Sequence, residues 1–214
     1  MKRAKADGAA LEAKREEAIG ILRVRREEFT VKVRGLSPLI MHRWPEKAKQ
    51  EMRDKQMGKA KTKKAPKDPD AIFEACQYRF DDGKRLGIPC LAFKKACISA
   101  VRHVDGMAMT EARGAFFITG EYSERAGYPL TEITAYKEMV CREDPVRVGR
   151  GTADLRYRPE VREWEAMLNV ELYGSTLTPE QFLGLLDIAG HMVGVLDWRP
   201  ERGGDFGRFE LVED

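Results

Sequence analysis

A chain of 214 residues with 43% hydrophobic and 34% charged side chains is long enough for one full core, or for one domain carrying a sizeable insertion. No run of about 18 apolar residues exists to span a membrane, and the basic N-terminus leads into an acidic, alanine-rich stretch instead of an apolar signal core. The expectation is a cytoplasmic protein. A net charge of +3 implies no nucleic acid by itself, but residues 41–67 hold ten Lys/Arg against three Asp/Glu, the composition of an exposed basic arm or loop.

Residues 2–26 read as a charged helix in which Leu11, Ala18, Ile19 and Leu22 offer only a thin apolar stripe. We therefore set residues 1–27 apart as an N-terminal helix or arm, and take 28–214 as a single domain. The first core element is a strand over 29–36, where Phe29, Val31 and Val33 alternate with Thr30, Lys32 and Arg34. Gly35 and Pro38 end it. An apolar run then meets a basic and aromatic cluster of His42, Arg43, Trp44, Lys47 and Lys49, and Pro45 opens a helix over 46–57. Residues 58–69 are Lys-rich and loop-like, 72–80 are a short helix or extended segment, and 86–88 are extended.

Pro89 begins a helix that runs over 91–103, with Asp105 and Gly106 breaking it. A buried strand follows over 115–120. Residues 133–157 look like hairpin segments, with Arg142, Arg147, Arg150, Arg156 and Arg158 recurring among Gly149, Gly151 and Pro159. The strand over 164–173 sets Trp164, Ala166, Leu168, Val170 and Leu172 on one face. Thr178, Pro179 and Gln181 then announce a helix over 179–193: a cap, a proline at the first helical position, and the third-position glutamine of a capping box. Phe182, Leu185, Leu186, Ala189 and Val193 form its buried face, and Gly194 ends it.

The chain closes on a loop holding Arg199, Arg202, Gly203, Gly204, Gly207 and Arg208, which leads into a strand over 206–212. Glycine lets a backbone approach a ligand closely, and arginine pairs with phosphate through a planar fork. The simpler account of the same loop is a Gly-rich turn with solvated arginines.

In order, the strong elements are strand, helix, strand, strand, helix, strand. That is α+β with a ferredoxin-like β-α-β-β-α-β core, carrying a basic insertion after the first strand (about 41–85) and an Arg/Gly-rich hairpin insertion (about 121–160). Such a core packs two helices on one face of its sheet and leaves the other open. If both insertions and the terminal loop border that open face, they form a continuous basic groove suited to single-stranded nucleic acid.

The opening strand with Gly35-Leu36-Ser37-Pro38-Leu39, the later helix and the loop Gly203-Gly204-Asp205-Phe206-Gly207-Arg208-Phe209 resemble the RAMP superfamily of CRISPR-associated proteins, or a phage-encoded relative of it. The resemblance implies a ferredoxin-like core, a thumb-like hairpin insertion and a C-terminal glycine-rich loop that contacts RNA, with self-association along a guide strand in some members. It also implies that His42, just after the first strand, stands where some members keep the base of a metal-independent RNA endonuclease.

Three functions follow as expectations. The first is a non-catalytic protein that binds single-stranded RNA or DNA, RNA before DNA, and oligomerises along it or joins a nucleoprotein complex. Its contacts are Arg43, Trp44, Lys47, Lys49, Arg147, Arg150, Arg156, Arg158, Arg199, Arg202, Gly203, Gly204, Gly207 and Arg208. The others are a metal-independent endoribonuclease using His42, and a phage-encoded interaction protein that inhibits a host nucleoprotein complex. No cofactor, metal or membrane is expected. Cys76, Cys90, Cys97 and Cys141 show no metal-ligand spacing, Asp68, Asp70, Asp81 and Asp82 read as turn residues, His103 as a structural helix end, and His191 as a packing residue.

Overall fold

Alternation of apolar and polar residues after Glu28 produces the central strand of the molecule. In the computed structural model, which describes residues 23–59, 66–148, 152–174 and 176–212, it is β1 (Arg26–Gly35). It begins at Arg26, which is therefore in a strand and not in a helix, and residues 23–25 before it are not helical either; residues 2–22 of the expected N-terminal helix lie outside the described residues. β1 pairs antiparallel with β9 (Glu165–Tyr173) from Arg26↔Tyr173 to Arg34↔Glu165. On its other side β1 meets β10 (Phe209–Leu211). β9 in turn pairs with β4 (Phe116–Thr119) and, at its start, with β6 (Tyr128–Ala135). β6 carries two short neighbours, β3 (Gly87–Pro89) and β5 (Glu121–Ser123). The chain is α+β, and every strand pairing described is antiparallel.

One face of this sheet is the core. Val31, Val33, Phe116, Ile118, Ala166, Leu168, Val170, Leu172 and Phe209 are buried there against α3 (Cys90–Ala100) and α5 (Pro179–Ile188). Phe182 of α5 makes edge and tilted ring contacts with Phe29 and Phe116, and Phe93 of α3 meets Phe209 edge-on at 5.4 Å. α5 starts as its sequence requires: Thr178 Oγ1 accepts from the Gln181 N–H at 3.2 Å, and the Gln181 side chain accepts from the Thr178 N–H at 2.9 Å. Reciprocal bonds of this kind satisfy two otherwise unpaired helix donors.

The opposite face does not carry the expected basic groove. Among the described residues, the basic side chains that β1 presents there, Arg26, Lys32 and Arg34, are each paired with a glutamate: Glu171 at 2.7 Å, Glu165 at 2.7 Å and Glu210 at 2.6 Å. Between them stand Thr30, Asn169 and Thr119, with Phe117 and Met167 exposed. The terminal loop packs elsewhere, on the helix side.

A separate three-stranded sheet, β2 (Leu39–Ile40), β8 (Thr152–Arg162) and β7 (Glu138–Val148), projects the long hairpin. The remaining helices are α1 (Glu46–Gln56), α2 (Pro69–Ala75) and α4 (Met109–Ala115). α4, β5 and the first half of β6 have no counterpart in the sequence reading. Leu130, Thr131 and Ile133 of β6 are all buried, so the strand lacks simple alternation, and Pro129 sits within it opposite Tyr122. The last strand is shorter than 206–212 because Gly207 turns the backbone to φ +68° just before it.

Candidate functional site

The hairpin register explains the site's electrostatics. Arg142 faces Arg158, Asp144 faces Arg156, Val140 faces Glu160 and Glu138 faces Arg162, and residues opposite one another share a face. The result is an alternating chain of charges. Arg162 donates to Glu138 at 2.8 Å and to Glu160 at 2.6 Å. Arg142 donates to Glu160 at 2.9 Å and to Asp144 at 2.7 Å. Arg158 donates to Asp144 at 2.6 Å and to Asp197 at 3.0 Å. Asp197 Oδ2 finally meets His42 Nδ1 at 2.9 Å. Trp198 closes over Arg158, 4.3 Å from ring centre to guanidinium carbon, and Phe206 lies 4.9 Å from that of Arg142. The Arg158 side chain is left only 1% exposed.

Buried charges persist only when paired, and the carboxyls here register that pairing. Burial pushes Glu160 up, yet Arg162 and Arg142 outweigh it and hold the group below its ordinary value. Asp197 behaves alike, with His42 and Arg158 overcoming its desolvation.

The terminal loop reaches this lid position through tight backbone contacts. A Cβ on Gly204 would sit 1.9 Å from the Trp198 carbonyl oxygen, and one on Gly207 would sit 1.9 Å from that of Val195. Gly207 also donates to Pro38 O at 2.8 Å and accepts from Val195 N at 2.9 Å. The close approach that glycine permits here is therefore to the chain's own backbone. Gly207→Ala is expected to destabilise the protein by about 2 kcal/mol or more, from the left-handed φ and the steric clash together. A denaturant titration showing a loss below about 0.5 kcal/mol would refute that role.

Beside the lid, a cleft of about 320 Å³ opens between this loop and the N-terminal half of α3. His42, Asp197, Tyr78, Tyr128, Lys95 and Arg199 are among its lining residues. The two tyrosines meet edge to face at 6.3 Å, and burial pushes the Tyr78 hydroxyl up to about 12, so it stays protonated at neutral pH. With Asp197 at Nδ1, a neutral His42 carries its proton there and offers Nε2 as an acceptor. The 3₁₀ turn Pro200–Arg202 docks on α3 through a hydrogen bond from Ser99 Oγ to Glu201. Lys95 and Arg102 lie four residues before and three after Ser99, on the same side of the helix and its 3₁₀ extension Val101–His103. Lys95, Arg102 and Arg202 are exposed, whereas Arg199 donates to Leu196 O and to Glu201.

Of the residues expected in the interface, the structure brings His42 and Arg199 to the cleft. Arg202 and Gly203 lie in the adjoining turn, and Arg208 flanks Phe209, whose ring is in the core. Arg43 and Arg158 have a different task. Arg43 is buried and donates to the carbonyls of Gln77 at 3.1 Å and Arg125 at 3.2 Å, while Arg158 is enclosed in the ion-pair chain. Neither guanidinium is presented to a ligand. Trp44 is exposed, Lys47 and Lys49 belong to α1 with Lys49 paired to Glu46, and Arg147 and Arg156 are exposed on the hairpin. Trp44, Lys49, Arg147 and Arg156 do not line the cleft. Arg150 lies outside the described residues.

No local sequence pattern marks Tyr78, Lys95, Arg102, Tyr128 or Asp197. His191 is exposed, with Nδ1 3.0 Å from Asp187 O, and is not a packing residue. Asp68 caps α2, and Asp81 and Asp82 accept backbone N–H groups in turns. Cys76, Cys90 and Cys97 are buried, and Cys141 is exposed. Among the described residues no cluster is placed to hold a metal ion, and no helix is long and apolar enough to cross a membrane.

No protein-family model matches the chain, and no curated protein matches it. Among solved structures it is similar to the one described as the crystal structure of Cmr6 from Pyrococcus furiosus. The two share 11% sequence identity at a TM-score of 0.43, over 90% of this chain and 100% of that one.

Proposed function

We propose that this protein binds single-stranded nucleic acid, RNA before DNA, and self-associates or joins a nucleoprotein complex along the strand. Phosphates lie on Lys95, Arg102, Arg199 and Arg202, and the chain of bases passes the tyrosine-lined cleft. The observation that carries this reading is the Ser99–Glu201 hydrogen bond. It docks the Arg-rich turn on α3, joining two basic segments far apart in sequence beside exposed aromatic surface. Cations that track a backbone next to rings that take bases are what sequence-tolerant single-strand binding requires. Trp44, Lys47, Lys49, Arg147, Arg150 and Arg156 remain a second, outer set of contacts along the same strand.

The same reading takes the core as ferredoxin-like and RAMP-like, one domain over 28–214 with insertions near 41–85 and 121–160. The strand order β10-β1-β9-β4, with α3 and α5 on one face, supports it. A cytoplasmic location goes with it. Anisotropy titrations of labelled ribo- and deoxyribo-oligomers at several salt concentrations test the proposal. Affinity that falls steeply with salt is expected. A protein that ignores both oligomers at low salt, yet co-purifies with a protein partner, belongs to the interaction reading instead.

One observation favours a second reading, metal-independent RNA cleavage. The His42–Asp197 pair has the form of an oriented general base, with Lys95 and Arg199 on the same cleft to meet phosphate charge. RNA incubated with the protein in chelator would then be cut, and His42→Ala would abolish cutting while binding survives. Intact RNA after prolonged incubation removes this reading and leaves the first untouched.

A further inference from the structure

We infer that the cleft is a seat for one unstacked, amino-bearing nucleobase, so that cytosine is taken in preference to uracil. This rests on the single-strand reading above and adds to it a base position and a base preference.

At about 320 Å³ the cleft is at the small end of ligand sites, sized for one nucleoside and not for a stacked pair. Its walls are of two kinds. Pro89 at the end of β3, with Leu91 and Ala92 from the start of α3, forms an apolar side, on which Leu91 is 47% exposed. Tyr78 and Tyr128 form an aromatic side. Because they meet edge to face, they do not cover each other's rings by stacking, and Tyr128 is 42% exposed. A flat heterocycle stacks on such a ring whatever its sequence context.

The polar edge is what discriminates. Asp197 spends Oδ2 on His42 and Arg158, and its Oδ1 has no hydrogen-bond partner among the described residues. His42 Nε2 likewise has none among them. The Asp197 carboxylate is an acceptor on a residue that lines the cleft, so it fits an exocyclic amino group and opposes a carbonyl oxygen. At position 4 cytosine presents an amino group where uracil presents a carbonyl oxygen. Lys95 and Arg199, also on the cleft wall, supply the adjoining phosphate contact. The Arg158 and His42 bonds fix the carboxylate, so the acceptor is held in position before the base arrives.

An oligonucleotide carrying one 2-aminopurine tests the seat, since that base fluoresces and is quenched on stacking. Binding of the oligomer is expected to quench it further. Tyr128→Ala should abolish that quenching and weaken binding about 10-fold, while the salt slope stays as in the parent. Leu91→Trp fills the cleft from an exposed position that the core does not use, and should abolish the quenching as well. In competition, poly(C) should displace the labelled strand at a concentration roughly 10-fold lower than poly(U), the size of a hydrogen bond to a charged acceptor. Salt-dependent binding without quenching overturns the seat and spares the proposed function. Quenching with equal competition by poly(C) and poly(U) overturns the base preference. No binding of the oligomer at any salt concentration overturns the proposed function, and the seat with it.

Discussion

Changing Lys95, Arg102 and Arg202 together to alanine is expected to lower affinity for single-stranded RNA by about 100-fold at 0.1 M salt. The estimate follows from counterion release: each single-strand phosphate contact contributes roughly 0.7 to the slope of log K against log salt, so three contacts contribute roughly 2. All three side chains are exposed, and no hydrogen bond or ion pair to them is described. Their removal leaves the core and the ion-pair chain intact, and the melting temperature should be unchanged. Arg199 is kept in this variant because its bonds to Leu196 and Glu201 help to shape the turn. The check is a salt titration of parent and variant by fluorescence anisotropy. A variant with the parent slope would move the phosphate track to the outer set on α1 and the hairpin, where Arg147 and Arg156 are the exposed cations to change next.

Arg158→Met is expected to destabilise the fold by about 3 kcal/mol, toward the lower end of what breaking a buried ion pair costs. Asp144, only 4% exposed at its side chain, then keeps Arg142 but loses its second partner. Asp197 keeps His42 alone, and Trp198 loses the guanidinium it covers. Urea denaturation of parent and variant measures the loss. Arg156→Ala, an exposed position two residues away, is the control and should change stability by less than about 0.5 kcal/mol. Adding Asp144→Leu to Arg158→Met should return much of the lost stability, because a well-packed apolar pair can replace a buried ionic one. Equal stability of parent and Arg158→Met would mean that the hairpin and the terminal loop are not tied together by this chain of charges.

The location of Arg158 could not be read from sequence. In Tyr157-Arg158-Pro159-Glu160 it looks like its exposed neighbour Arg156, and by sequence both share the same expected interface. The strand period puts both on one hairpin face, but only Trp198, some forty positions later, closes over one of them. Arg43 is equally opaque to sequence: its partners are the backbone carbonyls of Gln77 and Arg125, and a carbonyl leaves no trace there. His42 was singled out, but Asp197, which orients it, lies 155 residues away.

What the sequence by itself determined is local in origin. Alternation in residues 29–33 and 164–172 specified the two central strands and their buried faces, since a side-chain period of two leaves no other choice once one face is apolar. Thr178, Pro179 and Gln181 specified the start of α5 through bonds within one turn, and Gly207 and Gly204 marked a loop that no other residue fits. Tertiary structure alone decided which charges are exposed and which are enclosed. It paired the cations of β1 on the open sheet face with glutamates from β9 and β10 and turned the terminal loop onto the hairpin. It also gathered His42, Tyr78, Lys95, Tyr128 and Asp197 around one cleft. Burial and pairing of charge depend on what covers a side chain, and here the cover comes from distant parts of the chain.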